Sequence, residues 1–218
     1  VPAKSKFAEA RAEARKSLLD VASSLLGHRV QDNAFIIITS GRNEFRNKGL
    51  DLFIDALNKM RSSAAGVKRE IIAFVMTPAW VAGPREDLQR VLANNSEERL
   101  SNPMITHNIH NFDSDAIWGK INYLGMYNGD MENVKIIYVP SYLEGFDGIF
   151  NKSYYQLLIG ADASAFPSYY EPWGYTPLES VAFGVPTVTT DLSGFGQWVL
   201  SNFDNSFGKC GVKVLHRS

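Results

Sequence analysis

The fold of this chain of 218 residues is indicated most clearly by one aromatic segment. The segment reads Pro167-Ser168-Tyr169-Tyr170-Glu171-Pro172-Trp173-Gly174-Tyr175-Thr176-Pro177-Leu178-Glu179. A short apolar run at 163–166 precedes it and predicts a buried strand that ends in this loop. A helix then begins, with Thr176 as N-cap, Pro177 at the first helical position and Glu179 closing a T-x-x-E capping box. Backbone N–H groups at such a helix start attract anions, above all phosphates.

The composition is that of an ordinary soluble globular protein, with 45% hydrophobic and 21% charged residues. The formal net charge of -1 gives no basic field that would attract nucleic acid or an anionic membrane. The longest apolar runs, such as 71–76, are too short to span a bilayer. The single cysteine, Cys210, excludes an internal disulfide and fits a reducing compartment. We therefore expect a cytoplasmic protein without nucleic-acid or membrane partners.

Short apolar runs alternate with helical patterns along the whole chain. Predicted strands lie at 34–39, 71–76, 135–139, 163–166, 185–190 and 212–215, and predicted helices at 4–26, 49–60, 84–94, 115–126, 154–160 and 178–183. Nearly continuous apolar strands between helices predict a parallel sheet covered on both faces. The fold class is therefore α/β, a doubly wound Rossmann-like sheet of about six strands.

We predict a single Rossmann-like domain over residues 1–218. The stretch at 77–133 is longer than a simple crossover needs, so we interpret it as a helical insertion. The chain begins with Val1 rather than Met and no signal-type segment follows. We therefore expect a piece of a longer protein, with part of the functional site located elsewhere.

Ligands of doubly wound folds bind beyond the carboxyl ends of the strands, so the loops there are candidate sites. The loop after the first strand, 40–49, has a glycine near each end and two cations. Arg42 and Lys48 could converge on a diphosphate, with a planar fork and a compact charge respectively. The alternative is a solvated loop in which Lys48 merely precedes a helix.

The aromatic loop after 166 carries two carboxylates. Glu171 is poorly placed for capping and lies where a ligand would lie, although it could instead be a surface carboxylate paired with a nearby base. Glu179 could close the capping box alone or keep one oxygen for a ligand. For Trp173 we expect packing, and Tyr175 is open between packing and binding.

Aromatic and small residues follow two further strands. The loop at 191–196 contains Gly194 among other small residues and can approach a ligand closely. After the strand at 135–139 come Tyr142 and, further on, Tyr154 and Tyr155. These rings could stack on a base, whereas core packing is the alternative.

Four segments resemble glycogen synthase of the animal and fungal type. They are Ser168 to Pro177 (SYYEPWGYTP), Asp191 to Gly196 (DLSGFG), Gly41 to Gly49 (GRNEFRNKG) and Ile105 to Asn108 (ITHN). The third resembles the first phosphate loop of that family and the fourth its T-H-N segment. All occur in the same order as in the family, which makes the resemblance far more specific than a lone glycine motif.

The resemblance implies a two-lobed retaining glycosyltransferase of the GT-B type, with a catalytic cleft between Rossmann-like lobes. This chain resembles the C-terminal lobe, where UDP-glucose docks as donor substrate. Glucose is then transferred with retention to the 4-hydroxyl of an α-1,4-glucan. No cofactor is implied, and the family's N-terminal lobe has no counterpart here.

The resemblance also implies roles by position. Arg42 and Lys48 would neutralise the diphosphate leaving group, Glu171 would hold or polarise the donor sugar, and Glu179 would bond the ribose hydroxyls. Preorganised cations and N–H dipoles stabilise the charge that develops on a departing phosphate.

The remaining substrate-binding residues are carried over in the same way. The phosphate would be bound by the helix start with Tyr175 and Thr176, and the substrate-binding set also includes Gly174 and Gly194. Tyr142 and Tyr154 would line the uracil pocket, with Tyr154 as the stacking ring.

We expect no metal site. Asp113-Ser114-Asp115 is similar to the metal motif of another glycosyltransferase architecture, but here it precedes an amphipathic helix, so we interpret it as an N-cap. His107 and His110 are too sparse for zinc. The family's metal independence agrees with two cations standing in for the ion.

Other functions and partners stay open. The donor could be another nucleotide sugar such as ADP-glucose, or the acceptor could differ. A non-catalytic nucleotide-sugar or glycan-binding module is a further alternative. Expected partners are UDP-glucose, the glucan and the missing N-terminal lobe, and a homo-oligomer is a further option. The insertion is shorter than in the animal and fungal enzymes, and the arginine-rich helix that senses glucose 6-phosphate lies beyond these residues.

Overall fold

The computed structural model describes residues 1–63, 69–204 and 207–217. A 3-10 turn at Lys4–Lys6 opens the chain. The helices and strands follow in the order α1 (Phe7–Leu26), β1 (Phe35–Ser40), α2 (Leu50–Ser63), β2 (Ile71–Met76), β3 (Val81–Pro84), α3 (Glu86–Asn94), β4 (His107–Ile109), α4 (Ala116–Tyr123), β5 (Val134–Val139), α5 (Tyr154–Leu158), β6 (Ala163–Ala165), α6 (Tyr175–Ala182), β7 (Thr187–Thr190), α7 (Gly194–Asn202), α8 (Phe207–Cys210) and β8 (Val212–Leu215).

Within the described ranges, six strands form one parallel sheet in the order β5-β2-β1-β6-β7-β8. Counted along the sheet's own strands, this is the order 3-2-1-4-5-6 of a doubly wound fold. The predicted α/β class and its six strands are therefore confirmed. The order reverses between β1 and β6, so a crevice opens beyond the carboxyl ends of these two strands.

Helices cover both faces of the sheet. One core cluster joins α1, α3 and α5 to one face, and a second joins α2 and α4 to the other. Because both faces are covered, every residue of β2 and β5 is buried, which explains why β2 is apolar throughout and β5 is apolar or aromatic except at Lys135. A small third cluster packs α7 against β8 beside Trp173.

Helix α1 shows how the sequence dictates these layers. Ala14, Leu18, Ala22 and Leu25 recur at helical spacing and are almost fully buried. The helix ends at Gly27, whose φ of 71° is a left-handed cap. A Cβ at this glycine would lie 2.4 Å from the backbone nitrogen of Arg99, so a side chain is excluded there.

The stretch at 77–133 contains both predicted helices, α3 and α4. Asp115 is the N-cap of α4, and its side chain accepts a hydrogen bond from the Trp118 N–H at 2.8 Å. That interpretation of Asp113-Ser114-Asp115 is confirmed. The same stretch also holds an antiparallel pair of strands, β3 and β4, with α3 between them in sequence, and the sequence did not predict this pair. Both strands are short, and β3 contains a glycine and a proline, which weaken a strand signal.

The predicted capping box is wrong. Helix α6 begins at Tyr175, its N-cap is Gly174 with φ 100°, and no side chain caps it. Because the glycine turns the backbone early, Thr176 is already the second helical residue. Pro177 is the third helical residue, not the first, and Glu179 is too far into the helix to reach back to the N-cap.

Residues 191–196 are only partly a loop. Ser193 caps a helix that begins at Gly194, accepting from the Gly196 N–H at 3.0 Å. Two glycines at the start of α7 concealed this helix in the sequence. Within the described ranges, none of the helices combines the length and apolarity that a membrane crossing requires.

Candidate functional site

The candidate site lies where the loops after β1 and β6 meet, beyond the crevice of the sheet. The Tyr169 N–H donates to the carbonyl of Asn47 at 2.7 Å. Gly49 has φ 67°, and a Cβ there would lie 1.9 Å from the carbonyl oxygen of Pro167. The glycine is thus required for the two loops to touch, and this contact brings their charged residues together.

Lys48 and Glu171 form an ion pair between these loops. The lysine Nζ contacts Glu171 Oε2, and the two side chains are only 14% and 19% exposed. The lysine stem passes over Gly41, with its Cδ 3.8 Å from the position that a Cβ would take. The base predicted to pair with Glu171 is therefore Lys48, so two residues that are distant in sequence share one site.

Arg42 is placed differently. Its guanidinium pairs with Glu44 Oε1 at 3.0 Å, and its side chain is 77% exposed. Asn47 donates to the other oxygen of Glu44 at 2.8 Å. The structure thus pairs Arg42 within its own loop, and its convergence with Lys48 on a diphosphate stays a prediction.

The loop that carries Glu171 is held by the β7–α7 turn. The Glu171 N–H donates to Leu192 and the Gly194 N–H donates to the Glu171 carbonyl, at 3.3 and 3.2 Å. A Cβ on Gly194 would lie 2.3 Å from the carbonyl oxygen of Pro172. Gly194, predicted in the substrate-binding set, therefore positions the Glu171 loop by permitting this close approach.

The aromatic residues of the segment divide into two groups. Trp173 packs edge-to-face on Phe195, with ring centroids 6.1 Å apart, and near Trp198 at 6.5 Å. Its predicted packing role is confirmed. Tyr175 is 69% exposed at the start of α6, so it is not a core residue.

The start of α6 lies beside Glu171 and carries backbone N–H groups that have no acceptor within the helix. Gly174 is the N-cap, and a Cβ there would lie 3.4 Å from Glu171 Cγ, so the helix begins beside that carboxylate. The N–H groups of Tyr175 and Thr176 belong to the first helical turn, which has no intrahelical acceptors. The third position is Pro177, which has no N–H. An uncapped helix start of this kind suits an anion.

Glu179 lies one turn further along α6 and is engaged by a tyrosine. The Tyr155 hydroxyl donates to Glu179 Oε1 at 2.8 Å. The adjacent ring of Tyr154 lies 5.4 Å from that of Tyr155, and the Tyr154 oxygen accepts a hydrogen bond from Ser40 Oγ at 2.7 Å. Ser40 is the last residue of β1 and directly precedes Gly41.

The environment keeps both phenols protonated. Burial raises the pKa of Tyr154, and the negative charge of Glu179 adds to this effect. The hydrogen bond to Glu179 raises the pKa of Tyr155. Both hydroxyls are consequently neutral hydrogen-bonding groups at neutral pH.

These contacts close into a ring around the crevice between β1 and β6. We call its residues the β1–β6 rim: Ser40, Gly41, Lys48, Tyr154, Tyr155, Glu171, Gly174 and Glu179. Tyr154 is half-buried and packs against the core, so both alternatives for it remain compatible with its position. Tyr142 follows β5 and is 69% exposed, so core packing is wrong for that ring.

Sequence reasoning missed Ser40 and the bond from Tyr155 to Glu179. Ser40 ends an ordinary apolar strand, so its only signal was its place at the carboxyl end. Two cavities, of about 760 and 470 Å³, lie elsewhere, beside α1 and beside the β3–β4 pair. Neither is lined by a residue of the rim.

The T-H-N histidine has a structural environment. His107 is 1% exposed, with Nδ1 2.8 Å from Thr106 Oγ1 and Nε2 2.9 Å from the carbonyl oxygen of Asp147. The contact of Nε2 with Asp147 joins β4 to the loop after β5. In the described part of the chain, no three side chains of His, Cys, Asp or Glu come together as a metal site.

The fold defines an α/β domain of the doubly wound class, with the rim at the reversal of its strand order. The chain belongs to the glycogen synthase family, because the family model described as Glycogen synthase matches residues 85–218. This confirms the resemblance found in the sequence.

Individual relatives agree with this assignment. The chain is 29% identical to glycogen [starch] synthase of Neurospora crassa, over 85% of this chain and 34% of that protein. It is 28% identical to glycogen [starch] synthase isoform 2 of Saccharomyces cerevisiae, over 85% of this chain and 35% of that protein. It is 29% identical to the liver glycogen [starch] synthase of Homo sapiens, over 76% of this chain and 31% of that protein. The chain therefore spans about a third of the length of these relatives.

A solved structure of WaaG, described as a glycosyltransferase involved in lipopolysaccharide biosynthesis, is also similar. The likeness covers 86% of this chain and 35% of that one, at 15% identity and a TM-score of 0.45. At these values it adds no argument to the family assignment.

Proposed function

We propose that this chain is the C-terminal, donor-binding lobe of a GT-B glycogen synthase. It binds UDP-glucose for retaining transfer of glucose to the 4-hydroxyl of an α-1,4-glucan. The observation that carries the proposal is the Lys48–Glu171 pair beside the uncapped start of α6, at the strand-order reversal. A cation, a carboxylate and free N–H donors at that place suit a sugar linked to a diphosphate.

The chemistry follows from these groups. When UDP departs, negative charge develops on its β-phosphate, and Lys48 with the Tyr175 and Thr176 N–H groups stabilises that charge. Glu171 holds or polarises the donor sugar, and Arg42 turns from Glu44 to the diphosphate. Because Lys48 and Glu171 are fixed against each other before a ligand arrives, little reorganisation is needed.

The base and ribose are bound on the other side of the rim. Tyr154 stacks on the uracil with Tyr142 nearby, and Glu179 accepts hydrogen bonds from the ribose hydroxyls. Catalysis needs donor and acceptor aligned between two lobes, so this chain alone binds the donor weakly and is nearly inactive. The glucan and the other lobe are its partners in the complete cytoplasmic enzyme, and further copies of the chain are an additional candidate partner.

Calorimetric titration with UDP tests the proposal. We expect saturable binding at millimolar concentration or below, in a sample shown to be folded by circular dichroism. A folded sample that binds no UDP at millimolar concentration contradicts it. Titration with ADP under the same conditions separates UDP-glucose from ADP-glucose as donor, because the base pocket sets this preference. We expect UDP to bind more tightly.

A further inference from the structure

Tyr155 is the one rim residue that touches Glu179 through a side-chain hydrogen bond described in the structure. Its hydroxyl donates to Oε1 at 2.8 Å and leaves Oε2 outside this bond. A carboxylate has lone pairs for several donors, so the bond does not consume its capacity to accept from a ligand. The contact therefore fixes the carboxylate while leaving it open.

The ring of Tyr155 is itself held from two sides. It stacks on Phe183, with centroids 5.4 Å apart and planes at 11°, and meets Tyr154 edge-on at 5.4 Å and 61°. Phe183 follows Glu179 by one helical turn on α6. The tyrosine is 44% exposed, yet these contacts determine where its hydroxyl lies.

We propose that Tyr155 is a positioning residue, which orients Glu179 to accept from the two vicinal hydroxyls of the nucleoside sugar. The inference rests on the proposed function, since it requires that the chain binds the nucleoside diphosphate of the proposed donor. Glutamate has three rotatable side-chain bonds, and ordering such a side chain on binding is costly. Tyr155 orders it beforehand, so hydroxyl recognition is tighter than Glu179 alone would give.

The variant Tyr155→Phe tests this because it keeps the ring stack and removes only the hydroxyl. Wild type and variant are titrated calorimetrically with UDP and with 2′,3′-dideoxy-UDP. We expect the variant to bind UDP roughly three- to tenfold more weakly, which is the affinity equivalent of ordering one side chain. Its affinity for the dideoxy analogue stays as in wild type, so the preference for UDP over the analogue shrinks.

If Tyr155 had a purely structural role, the variant would bind UDP and the dideoxy analogue more weakly by the same factor. The preference for UDP over the analogue would then be unchanged. The matched control is Tyr123→Phe, which removes the hydroxyl of an 85% exposed tyrosine at the end of α4 and should alter neither affinity. A thermal melt of each variant shows that it is folded. Glu179→Gln serves as the comparator and should also reduce the preference.

The outcomes separate this inference from the proposed function. An undiminished preference in Tyr155→Phe, with wild type binding UDP, overturns the positioning role alone. Equal wild-type affinities for UDP and the analogue overturn it too, because there is then no hydroxyl contact to position. A wild type that binds neither ligand overturns the proposed function itself.

Discussion

Lys48 is the residue on which the proposed donor binding depends most. Its ammonium contacts Glu171 within a half-buried pair, and a phosphate oxygen can take part in the same charge-assisted bonding. We predict that Lys48→Ala weakens UDP binding by about 1–3 kcal/mol, the value of a lost hydrogen bond to a charged group. Isothermal titration of both proteins measures the difference.

Lys16→Ala is the matched control for that change. Lys16 lies on α1 with its side chain 76% exposed, pairs with Asp20, and lines the larger cavity. Removing it changes the net charge equally and should leave UDP affinity unchanged. If Lys16→Ala weakened binding and Lys48→Ala did not, the ligand would bind beside α1 rather than at the rim.

Asp147 gives a prediction about acid stability. Its carboxylate accepts from the N–H groups of Ile149, Phe150 and Asn151 at 3.2, 3.0 and 2.8 Å. Burial alone would raise its pKa, but the His107 ring and these amides outweigh burial and lower the pKa. A carboxylate whose pKa is lower in the folded than in the unfolded protein stabilises the fold at pH values above its unfolded pKa. This stabilisation is lost as the pH falls through its folded pKa.

We therefore expect the Asp147 contribution to be complete at neutral pH and to be lost progressively as the pH falls below about 4, the unfolded aspartate value, through the lowered pKa of the folded state. Asp147→Asn should lower the free energy of unfolding at pH 7 by about 1–3 kcal/mol, because one acceptor oxygen is replaced by an NH2 group that cannot accept from the buried N–H donors. Urea denaturation at several pH values measures this. An equal loss of stability at pH 7 and at pH 3 would contradict the assignment.

At the scale of elements, the close approach of two loops depends on a glycine. Gly194→Ala places a Cβ 2.3 Å from the Pro172 carbonyl oxygen and 3.1 Å from Trp173 Cα, so the loop that carries Glu171 must move. We predict a loss of about 1–3 kcal/mol in the free energy of unfolding, as for other overpacked sites. UDP affinity should fall as well, since Glu171 is displaced from Lys48.

Gly119→Ala is the control for this substitution. Gly119 lies inside α4, and a Cβ there meets nothing within 4 Å. The change should be neutral or stabilising by about 0.5–1 kcal/mol, because alanine favours a helix interior. Chemical denaturation of both variants gives the comparison, and equal losses would show that close contact at Gly194 is not the cause.

The elements also show what the sequence can predict. The six sheet strands and most helices were predicted because their apolar residues recur at clear strand or helix spacing over several positions. The β3–β4 pair was missed because its strands are too short to show a period. The capping box was misplaced because T-x-x-E is a local signal, whereas the positive φ of Gly174 starts the helix earlier.

At the scale of the whole molecule, the strand order determines where the site forms. Lys48 and Glu171 are far apart in sequence, and they meet because β1 and β6 are neighbours at the order reversal. This meeting could be predicted from the strand pattern. The turn of Arg42 to Glu44 and the bond from Tyr155 to Glu179 could not, since each depends on side-chain rotamers set by three-dimensional neighbours.

The central claim is that the donor site lies between β1 and β6. Its most direct test is the NMR spectrum of the backbone amides of the isotope-labelled chain during titration with UDP. We predict that the largest shifts fall on the rim and the start of α6, at Gly41, Lys48, Glu171, Tyr175 and Thr176. Shifts confined to the cavity beside α1, at 28–32 and 95–97, with those five amides unmoved, would contradict a donor site between β1 and β6.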